Sequence, residues 1–580
     1  MRRFALLLPF FRPWRAALSI GFVCVALTQL AQVYSPLAGR DAVDALATRT
    51  PDVSLATYWA LMFLAVIALR GVFQYVMRKL LVGVSREVER ALRDRLYERL
   101  LRRSPSWFAR HHTGDVLARF TSDVEAVRMS VGPGLMYVAQ TAVVLPMAAV
   151  LMWRMSPALT LLNLAPLAGV ALGTLLIAPK MHDASTLVQE AQSSMSTRAQ
   201  ESFAGVRVVK SFAREQRETE AFAREAEKSR AANLRSAYVQ ATFYPAIGLM
   251  RGAGLVLTML VGFGMMSRGE LTLGGFLAFN MYAAMLMWPM VSLGWVIAIW
   301  QRGRVSMGRL AAMLEEPPDV ADATEPVRVE RIRGEIEFKD VTFTHHGANA
   351  PALANISFRV PQGKTVAVVG PTGSGKSSLL ALVPRLLEAP AGSVLVDGVA
   401  VERLPLAQLR RATGYVPQDT FLFSDTIGAN VGFGTDAGDA ALREAAAKAR
   451  VLTEIDAFPQ GMQTLLGERG VNLSGGQRQR TAIARALAVD PPILLLDDCL
   501  SAVDARTESE ILANLREVLA GRTTLLVTHR ISAAKLADEI VVLDAGRIVE
   551  RGKHEDLLRA GGLYARLATR QSLEEALEAA

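Results

Sequence analysis

A glycine-rich stretch that ends in lysine and serine holds the residues with the clearest chemistry. Residues 370–377 read Gly-Pro-Thr-Gly-Ser-Gly-Lys-Ser, a full match to the phosphate-binding loop, and they follow the apolar run Val366–Val369. In such a loop glycines let backbone N–H groups close on phosphates, the lysine reaches the β- and γ-phosphates, and the serine hydroxyl ligates Mg²⁺. A chance glycine-rich turn is the alternative, and the complete match argues against it. The predicted phosphate-binding residues are Gly370, Pro371, Thr372, Gly373, Ser374, Gly375, Lys376, Ser377 and Ser378.

A second group of residues with phosphate and metal chemistry lies further along the chain. The run Ile493–Leu496 reads as a buried strand that delivers Asp497 at its carboxyl end, where a carboxylate can hold Mg²⁺ through water. Before it, a serine and two glycines precede a helix-like run and offer a hydroxyl and backbone N–H groups to a phosphate. A core strand alone explains the apolar run but not this serine–glycine pattern ahead of it. The residues of the pattern are Ser474, Gly475, Gly476 and Gln477.

Length and composition indicate what carries these motifs. The chain has 580 residues, too many for one ordinary domain, and 51% of them are hydrophobic. The apolar residues crowd into the first 300, which a soluble enzyme of this size would not show. The net charge of +9 does not indicate nucleic acid binding, because the basic residues gather in loops beside apolar segments. The two cysteines form no metal-binding pattern.

Six segments are long and apolar enough to span a bilayer. The two long connections between them are dense in arginine and the short connections are poorer in it, so the long loops and both termini are predicted to be cytoplasmic. Met1–Arg15 reads as an amphipathic helix at the membrane surface. The predicted spans are Trp14–Ala38, Tyr58–Gly83, Gly132–Met155, Ser156–Ile177, Ala241–Met266 and Leu271–Trp300.

Few side chains inside the spans are candidates for contact with a transported molecule. Arg70 and Arg251 lie in apolar segments, where an arginine should face a water-filled cavity or a partner. Met285 and Trp288 give the sixth span an adaptable surface of the kind that promiscuous sites use. The alternatives are a snorkelling or helix-pairing role for the arginines and packing or lipid contact for the other two.

Taken together, the motifs resemble those of an ATP-binding-cassette (ABC) exporter half-transporter, in which six membrane helices are fused to one ATPase. The resemblance covers the whole chain. It implies an all-α transmembrane domain (1–314), a linker (315–333) and an α/β ABC ATP-binding domain (334–580) with an antiparallel β subdomain and a helical subdomain. Within the membrane half, Thr113–Val124 and Gln200–Glu215 resemble the two coupling helices of such exporters, which predicts two short cross-helices.

The resemblance also assigns roles in the nucleotide half. Gln418 matches the loop glutamine that senses Mg²⁺, and His529 matches the switch histidine at the γ-phosphate. Asp504 matches the D-loop, and Thr464–Gly470 resembles an exporter-specific segment. His345 occupies the place where the family usually has a tyrosine that stacks on adenine. Two interpretations remain: His345 stacks on adenine more weakly than a tyrosine would, or it is a solvated histidine at the end of a strand. Ser474–Gln477 is expected to act on the ATP of a partner chain, with Ser377, Gln418 and Asp497 at Mg²⁺.

One residue departs from the family pattern. Fully active members carry glutamate directly after the Mg²⁺-binding aspartate, and this chain has Asp498 there. Because aspartate is one methylene shorter, its carboxylate should lie too far from the attacking water, which can slow hydrolysis by a factor on the order of 10². Conservative replacement is the alternative. The expected catalytic residues are Asp498, His529 and Gln418.

These features predict an ATP-driven exporter of amphipathic drugs, peptides or lipids in the bacterial cytoplasmic membrane. The Asp-bearing site resembles the degenerate subunit of heterodimeric multidrug and peptide exporters, relatives of the antigen-peptide transporter. A Glu-bearing second half-transporter is therefore the expected partner, besides membrane lipids and the substrate, with no nucleic acid. A homodimeric lipid flippase with slow Asp-based hydrolysis is the alternative, and a non-transporting membrane ATPase or regulator is a more distant one.

Overall fold

The computed structural model describes residues 2–48, 50–467, 470, 472–499 and 516–578. It divides into two compact units. The first comprises Met1–Glu98 and Thr113–Glu316, and the second comprises Arg99–His112 and Pro317–Ala580. Each unit is described by itself below.

The first unit is built from long helices. After helical turns at residues 2–14, six helical runs are long and apolar enough to cross a membrane. Each of the six predicted spans lies within one of these runs or extends it by a residue or two. The helices from the first unit and the segment 99–112 are α1 Arg15–Leu46, α2 Val53–Leu101, α3 Pro105–Arg110, α4 Thr113–Ala118, α5 Val124–Met129, α6 Leu135–Met155, α7 Pro157–Ala204, α8 Val206–Ser211, α9 Glu215–Ser267 and α10 Leu273–Glu315.

Local sequence explains the sharp reversal between α6 and α7. The Ser156 hydroxyl accepts a hydrogen bond from the Leu159 backbone N–H, and Pro157 occupies the first turn, where no N–H is needed. In the core of the bundle, the Tyr282 hydroxyl donates to the Val33 carbonyl at 2.6 Å. Tyr282 is fully buried, so this bond ties α10 to α1 without leaving a polar atom unpaired.

The structure contains the second of the two predicted cross-helices as a separate short helix, but not the first. The second is a short helix, α8, set off from α7 and α9 by turns, as predicted. The first is not a separate element, because α4 continues through π-helical segments at Arg119–Asp123 and Ser130–Gly134 into α6. No helix breaker separates the parts; Pro133 lies inside the second π-helical segment, which absorbs its missing N–H.

The second unit contains two sheets. An antiparallel sheet has the order β2-β1-β4-β5, and it forms the predicted antiparallel β subdomain. A six-stranded sheet has the order β10-β9-β3-β8-β7-β6, with β10 antiparallel to β9 and the other neighbours parallel. The strands are β1 Ile336–Phe343, β2 Leu353–Val360, β3 Thr365–Val369, β4 Val394–Val396, β5 Val399–Ala400, β6 Thr413–Val416, β7 Ile493–Asp497, β8 Thr523–Val527, β9 Glu539–Asp544 and β10 Arg547–Gly552.

Helices surround the parallel sheet and form a separate helical part before β7. All residues of β3, β7 and β8 are buried, as continuous apolar runs in a covered parallel sheet should be. The helices are α11 Lys376–Leu382, α12 Leu406–Arg411, α13 Ile427–Val431, α14 Asp439–Lys448, α15 Leu452–Asp456, α16 Gly475–Ala488, α17 Ile531–Ala534, α18 His554–Ala560 and α19 Leu563–Glu578. Six helices long and apolar enough to cross a membrane, followed by an α/β part with a separate antiparallel sheet, confirm the predicted fold class.

Two hydrogen-bonded connections hold the chain entering the second unit. Residues 316–335 contain neither helix nor strand. The Asp322 carboxylate accepts from the Leu406 N–H at 2.7 Å. Asp319 accepts from the hydroxyl and the backbone N–H of Ser104, which places the segment 99–112 in this unit.

Candidate functional site

The sheet register brings four predicted chain segments to one edge. In the parallel ladders Val368 pairs with Val527, and Asp497 also pairs with Val527. Val416 pairs with Leu496 in the next ladder. The carboxyl ends of β3, β7, β8 and β6 therefore lie side by side, and the residues just beyond them are the ones that the motifs single out. Ligands of open α/β sheets bind at this edge.

The phosphate loop follows β3 and leads into α11. Gly375, the residue before the helix, has φ +97°, and a Cβ there would collide with the Ala352 carbonyl oxygen. Gly373 has φ +83° with open space where its Cβ would be, so a ligand can approach its backbone. Lys376 is buried, and its Nζ donates to the carbonyls of Gly370 at 2.9 Å and Pro371 at 2.8 Å. The loop is thus closed around its own ammonium group.

A hydroxyl and a carboxylate meet beside the loop. Ser377 Oγ donates to Asp497 Oδ1 at 3.0 Å. Burial raises the Asp497 pKa, while the Ser377 hydrogen bond and the Lys376 charge lower it. The same burial lowers the Lys376 pKa, and both carboxylates beside it act in the opposite direction. One hydroxyl and one desolvated carboxylate are the donor set that Mg²⁺ uses next to phosphates, so these residues fit the ion.

Asp498 lies directly after β7 in a left-handed backbone conformation with φ +45°. Its N–H donates to the Val527 carbonyl, and its Oδ1 accepts from the His529 N–H at 3.4 Å. Burial and the nearby Lys376 charge lower the His529 pKa, and the Asp498 charge acts in the opposite direction. The Asp498 side chain is therefore turned towards the backbone that carries the predicted switch histidine, His529.

His345 and Gln418 border the same edge. His345 Nε2 is 2.8 Å from Ser378 Oγ, and its ring meets Phe343 edge to face at 4.9 Å. That hydrogen bond, which pairs two residues singled out separately in the sequence, links the predicted adenine contact to the start of α11. Gln418 is exposed two residues beyond β6, next to the strand that carries Asp497.

The serine–glycine motif forms the beginning of α16. Ser474 is the N-cap: its hydroxyl accepts from the Gln477 N–H at 3.2 Å, and Gln477 Oε1 accepts from the Ser474 N–H at 2.9 Å. Ser474 is exposed, so the hydroxyl and the helix terminus are open to a ligand. Glu468 and Arg469 of the exporter-specific segment and Asp504 of the predicted D-loop lie outside the described residues.

The four predicted contact residues of the membrane helices lie in different surroundings. Arg251 lines a cavity of about 330 Å³ between α7, α9 and α10. Arg70 Nε is buried without a hydrogen-bond partner among the described residues, elsewhere in α2. Met285 packs in the bundle core and Trp288 is 65% exposed. Sequence reasoning missed Asn163 and Asn280, which also line the cavity; an amide inside an apolar span is the signal that could have found them.

Comparisons with known proteins agree over the whole chain. Residues 18–290 match the family model described as ABC transporter transmembrane region, and residues 353–501 match the model described as ABC transporter. A solved structure described as a bacterial Atm1-family ABC exporter with ATP bound is 31% identical, with a TM-score of 0.80. The alignment covers 96% of this chain and 99% of that one.

Curated relatives include proteins named for multidrug resistance and proteins named as lipid A-core flippases. The probable multidrug resistance ABC transporter ATP-binding/permease protein YheI of Bacillus subtilis is 35% identical over 98% of this chain and 97% of its own. The multidrug resistance-like ATP-binding protein MdlA of Escherichia coli is 37% identical over 100% of this chain and 98% of its own. An ATP-dependent lipid A-core flippase of Aromatoleum aromaticum is 37% identical over 89% of this chain and 85% of its own.

Proposed function

Since this chain belongs to the ABC exporters whose membrane domain is fused to an ABC ATPase domain, we propose that it exports amphipathic molecules across the bacterial cytoplasmic membrane at the expense of ATP. The observation that carries the proposal is the meeting of the phosphate loop, Asp497, Asp498 and His529 at one sheet edge, in a chain that also has six helices able to cross a membrane. We assign the domains as 1–314, 315–333 and 334–580.

The residues of this edge divide the work of ATP hydrolysis. The Lys376 ammonium leaves its carbonyl partners to bind the β- and γ-phosphates, and the backbone N–H groups around Gly373 and Gly375 hold the remaining phosphate oxygens. Ser377 and Asp497, together with Gln418 just beyond β6, would hold Mg²⁺, and the bound ion would neutralise charge that develops on the phosphates. His529 donates a hydrogen bond from its imidazole to the γ-phosphate.

The proposal extends to a dimer, because Ser474 and the N-terminus of α16 are exposed and the capping box presents them as a preformed unit. In this proposal Ser474–Gln477 closes on the ATP of a partner half-transporter, and Asp504 acts at the same junction. Asp498 is too short to orient water well, so the site on this chain's own phosphate loop turns over slowly. A Glu-bearing partner then supplies the fast site.

A homodimeric lipid flippase is the second candidate. Its support is the set of relatives named lipid A-core flippases, which match this chain over most of its length. In that case Asp498 serves both sites of the dimer, and hydrolysis is slow throughout.

The ATPase response to added compounds distinguishes the two candidates. The chain, purified with its partner if it has one, is reconstituted in phosphatidylcholine, and steady-state ATPase is measured with amphipathic dyes or peptides and, separately, with lipopolysaccharide. We expect stimulation by the dyes or peptides. Stimulation by lipopolysaccharide alone would establish the flippase instead, and no stimulation by either would contradict export.

The proposed orientation gives a labelling prediction. Single cysteines at the exposed positions Ala47 and Ser267 should react with a membrane-impermeant maleimide added outside intact cells, because they lie in the arginine-poor connections. A cysteine at the exposed Ala109 should react only after the cells are opened. Native Cys24 and Cys499 are both buried, and replacing them with alanine provides the background. The reverse labelling pattern would overturn the orientation.

A further inference from the structure

The cavity beside Arg251 combines one positive charge with an otherwise uncharged lining. Three helices form it: Asn163, Pro166 and Leu167 come from α7, the segment 248–255 from α9, and Asn280, Ala283, Ala284 and Met287 from α10. Among the described lining residues Arg251 is the only charged one, so no carboxylate of the wall neutralises it. The volume of the cavity, about 330 Å³, lies in the range of small-molecule sites.

Arg251 lies deep in the membrane part of its helix. It lies ten residues after Ala241 and fifteen before Met266, the ends of the predicted span, which is about 15 Å and about 22 Å along α9 from them. No described residue forms a hydrogen bond or an ion pair with its guanidinium. A charged group at this depth is costly unless it meets water or a counter-charge. The cavity is the place where such a counter-charge can enter.

The walls leave space next to the arginine and are held in position. A Cβ added at Gly248, about one turn before Arg251, or at Gly252, directly after it, would meet nothing within 4 Å. Asn163 uses both amide hydrogens, one on the Leu159 carbonyl and one on Thr258 Oγ at 2.8 Å, so it fixes α7 against α9 rather than binding a ligand. Asn280 gives one amide hydrogen to the Phe276 carbonyl and keeps one for a ligand.

We propose that this cavity binds the anionic group of an amphipathic substrate, with the Arg251 guanidinium as its counter-charge and the Asn280 amide as a second donor. The inference rests on the export function proposed above and adds the substrate's charge to it. Guanidinium binds carboxylate or phosphate through two parallel N–H···O bonds, which an ammonium cannot reproduce. Met250 and Met287, which border the cavity, contact the apolar part of such a molecule.

The test compares a fluorescent fatty-acid carboxylate, NBD-dodecanoate, with its neutral methyl ester. ATP-driven movement of each is measured in phosphatidylcholine proteoliposomes containing the intact transporter. We expect the wild-type protein to have at least a tenfold lower half-saturating concentration for the carboxylate than for the ester, and we expect Arg251→Gln to remove that difference. Arg251→Lys should restore part of it. Arg154→Gln, which removes an exposed arginine outside the cavity, is the matched control and should leave the difference unchanged.

A second arm identifies the source of the anion. If a lipid phosphate is the ligand, adding phosphatidylglycerol to the phosphatidylcholine bilayer should itself stimulate the wild-type ATPase and should not stimulate Arg251→Gln. Ester transport by Arg251→Gln shows that this variant is folded. Equal handling of carboxylate and ester by the wild type, or an undiminished preference in Arg251→Gln, would overturn the inference while leaving export intact. Movement of neither dye, without stimulation by anionic lipid, would overturn export and the inference with it.

Discussion

Replacing Lys376 with alanine should abolish ATP binding at the phosphate loop of this chain. The lysine is buried at the carboxyl edge of the sheet, and its ammonium group donates to the carbonyls of Gly370 and Pro371 in the phosphate loop. From this position the ammonium group can turn towards phosphates that the loop binds. Alanine removes the one positive charge between the loop and two buried carboxylates, so a nucleotide would meet Asp497 and Asp498 without compensation. We expect photolabelling of this subunit by azido-ATP to fall by on the order of 10²-fold.

The control for this variant is Lys364→Ala. Lys364 lies on the same domain, just before β3, but it is exposed and pairs with Asp538 at 3.0 Å. It should retain wild-type labelling. Unchanged photolabelling of Lys376→Ala would show that the site assignment is wrong.

Ser474→Ala should damage steady-state ATPase far more than Asp498→Ala, although both residues lie in one chain. Ser474 serves the partner's fast site in the asymmetric dimer, and losing one phosphate-directed donor costs on the order of 10² in rate. Asp498 serves only this chain's slow site, so its removal should lower total ATPase by less than about twofold.

Ser474 is also a helix cap, which requires a separate control. Alanine removes the capping box of α16 and costs about 1 kcal/mol of stability, whereas asparagine is an equally good N-cap without the hydroxyl. Ser474→Asn should therefore keep the thermal unfolding temperature of the wild type and still lose most ATPase. Comparable, near-complete loss in Ser474→Asn and Asp498→Ala would contradict the asymmetric mechanism and favour a homodimer with slow Asp-based hydrolysis.

Much of the fold follows from local patterns. Continuous apolar runs such as Val366–Val369 and Ile493–Leu496 predict buried parallel strands, and both are strands of the central sheet. The order of motifs along the chain then predicts which strand ends meet, because parallel strands place all their carboxyl ends at one edge. The long apolar segments likewise predict the six membrane helices, since length and hydropathy alone determine them.

The remaining features depend on contacts between residues distant in sequence. The grouping of residues 99–112 with the second unit rests on hydrogen bonds between Ser104 and Asp319, which no periodicity reveals. The continuation of α4 into the third membrane run depends on two π-helical segments that have no strong sequence signal. The cavity beside Arg251 could not be predicted because it depends on how three helices pack. The hydrogen bond between His345 and Ser378 likewise depends on the relative position of β1 and α11.

The measurement that tests the central claim most directly is ATP-dependent uptake into inside-out membrane vesicles. Vesicles containing the wild-type transporter should accumulate NBD-dodecanoate against a gradient when ATP and Mg²⁺ are supplied, because the ATPase faces the outside in this orientation. Vesicles with Lys376→Ala or with a non-hydrolysable ATP analogue should not accumulate it. ATP hydrolysis by the wild-type protein without uptake of this or any other amphipathic dye, peptide or lipid tested would contradict export and leave a membrane ATPase without transport.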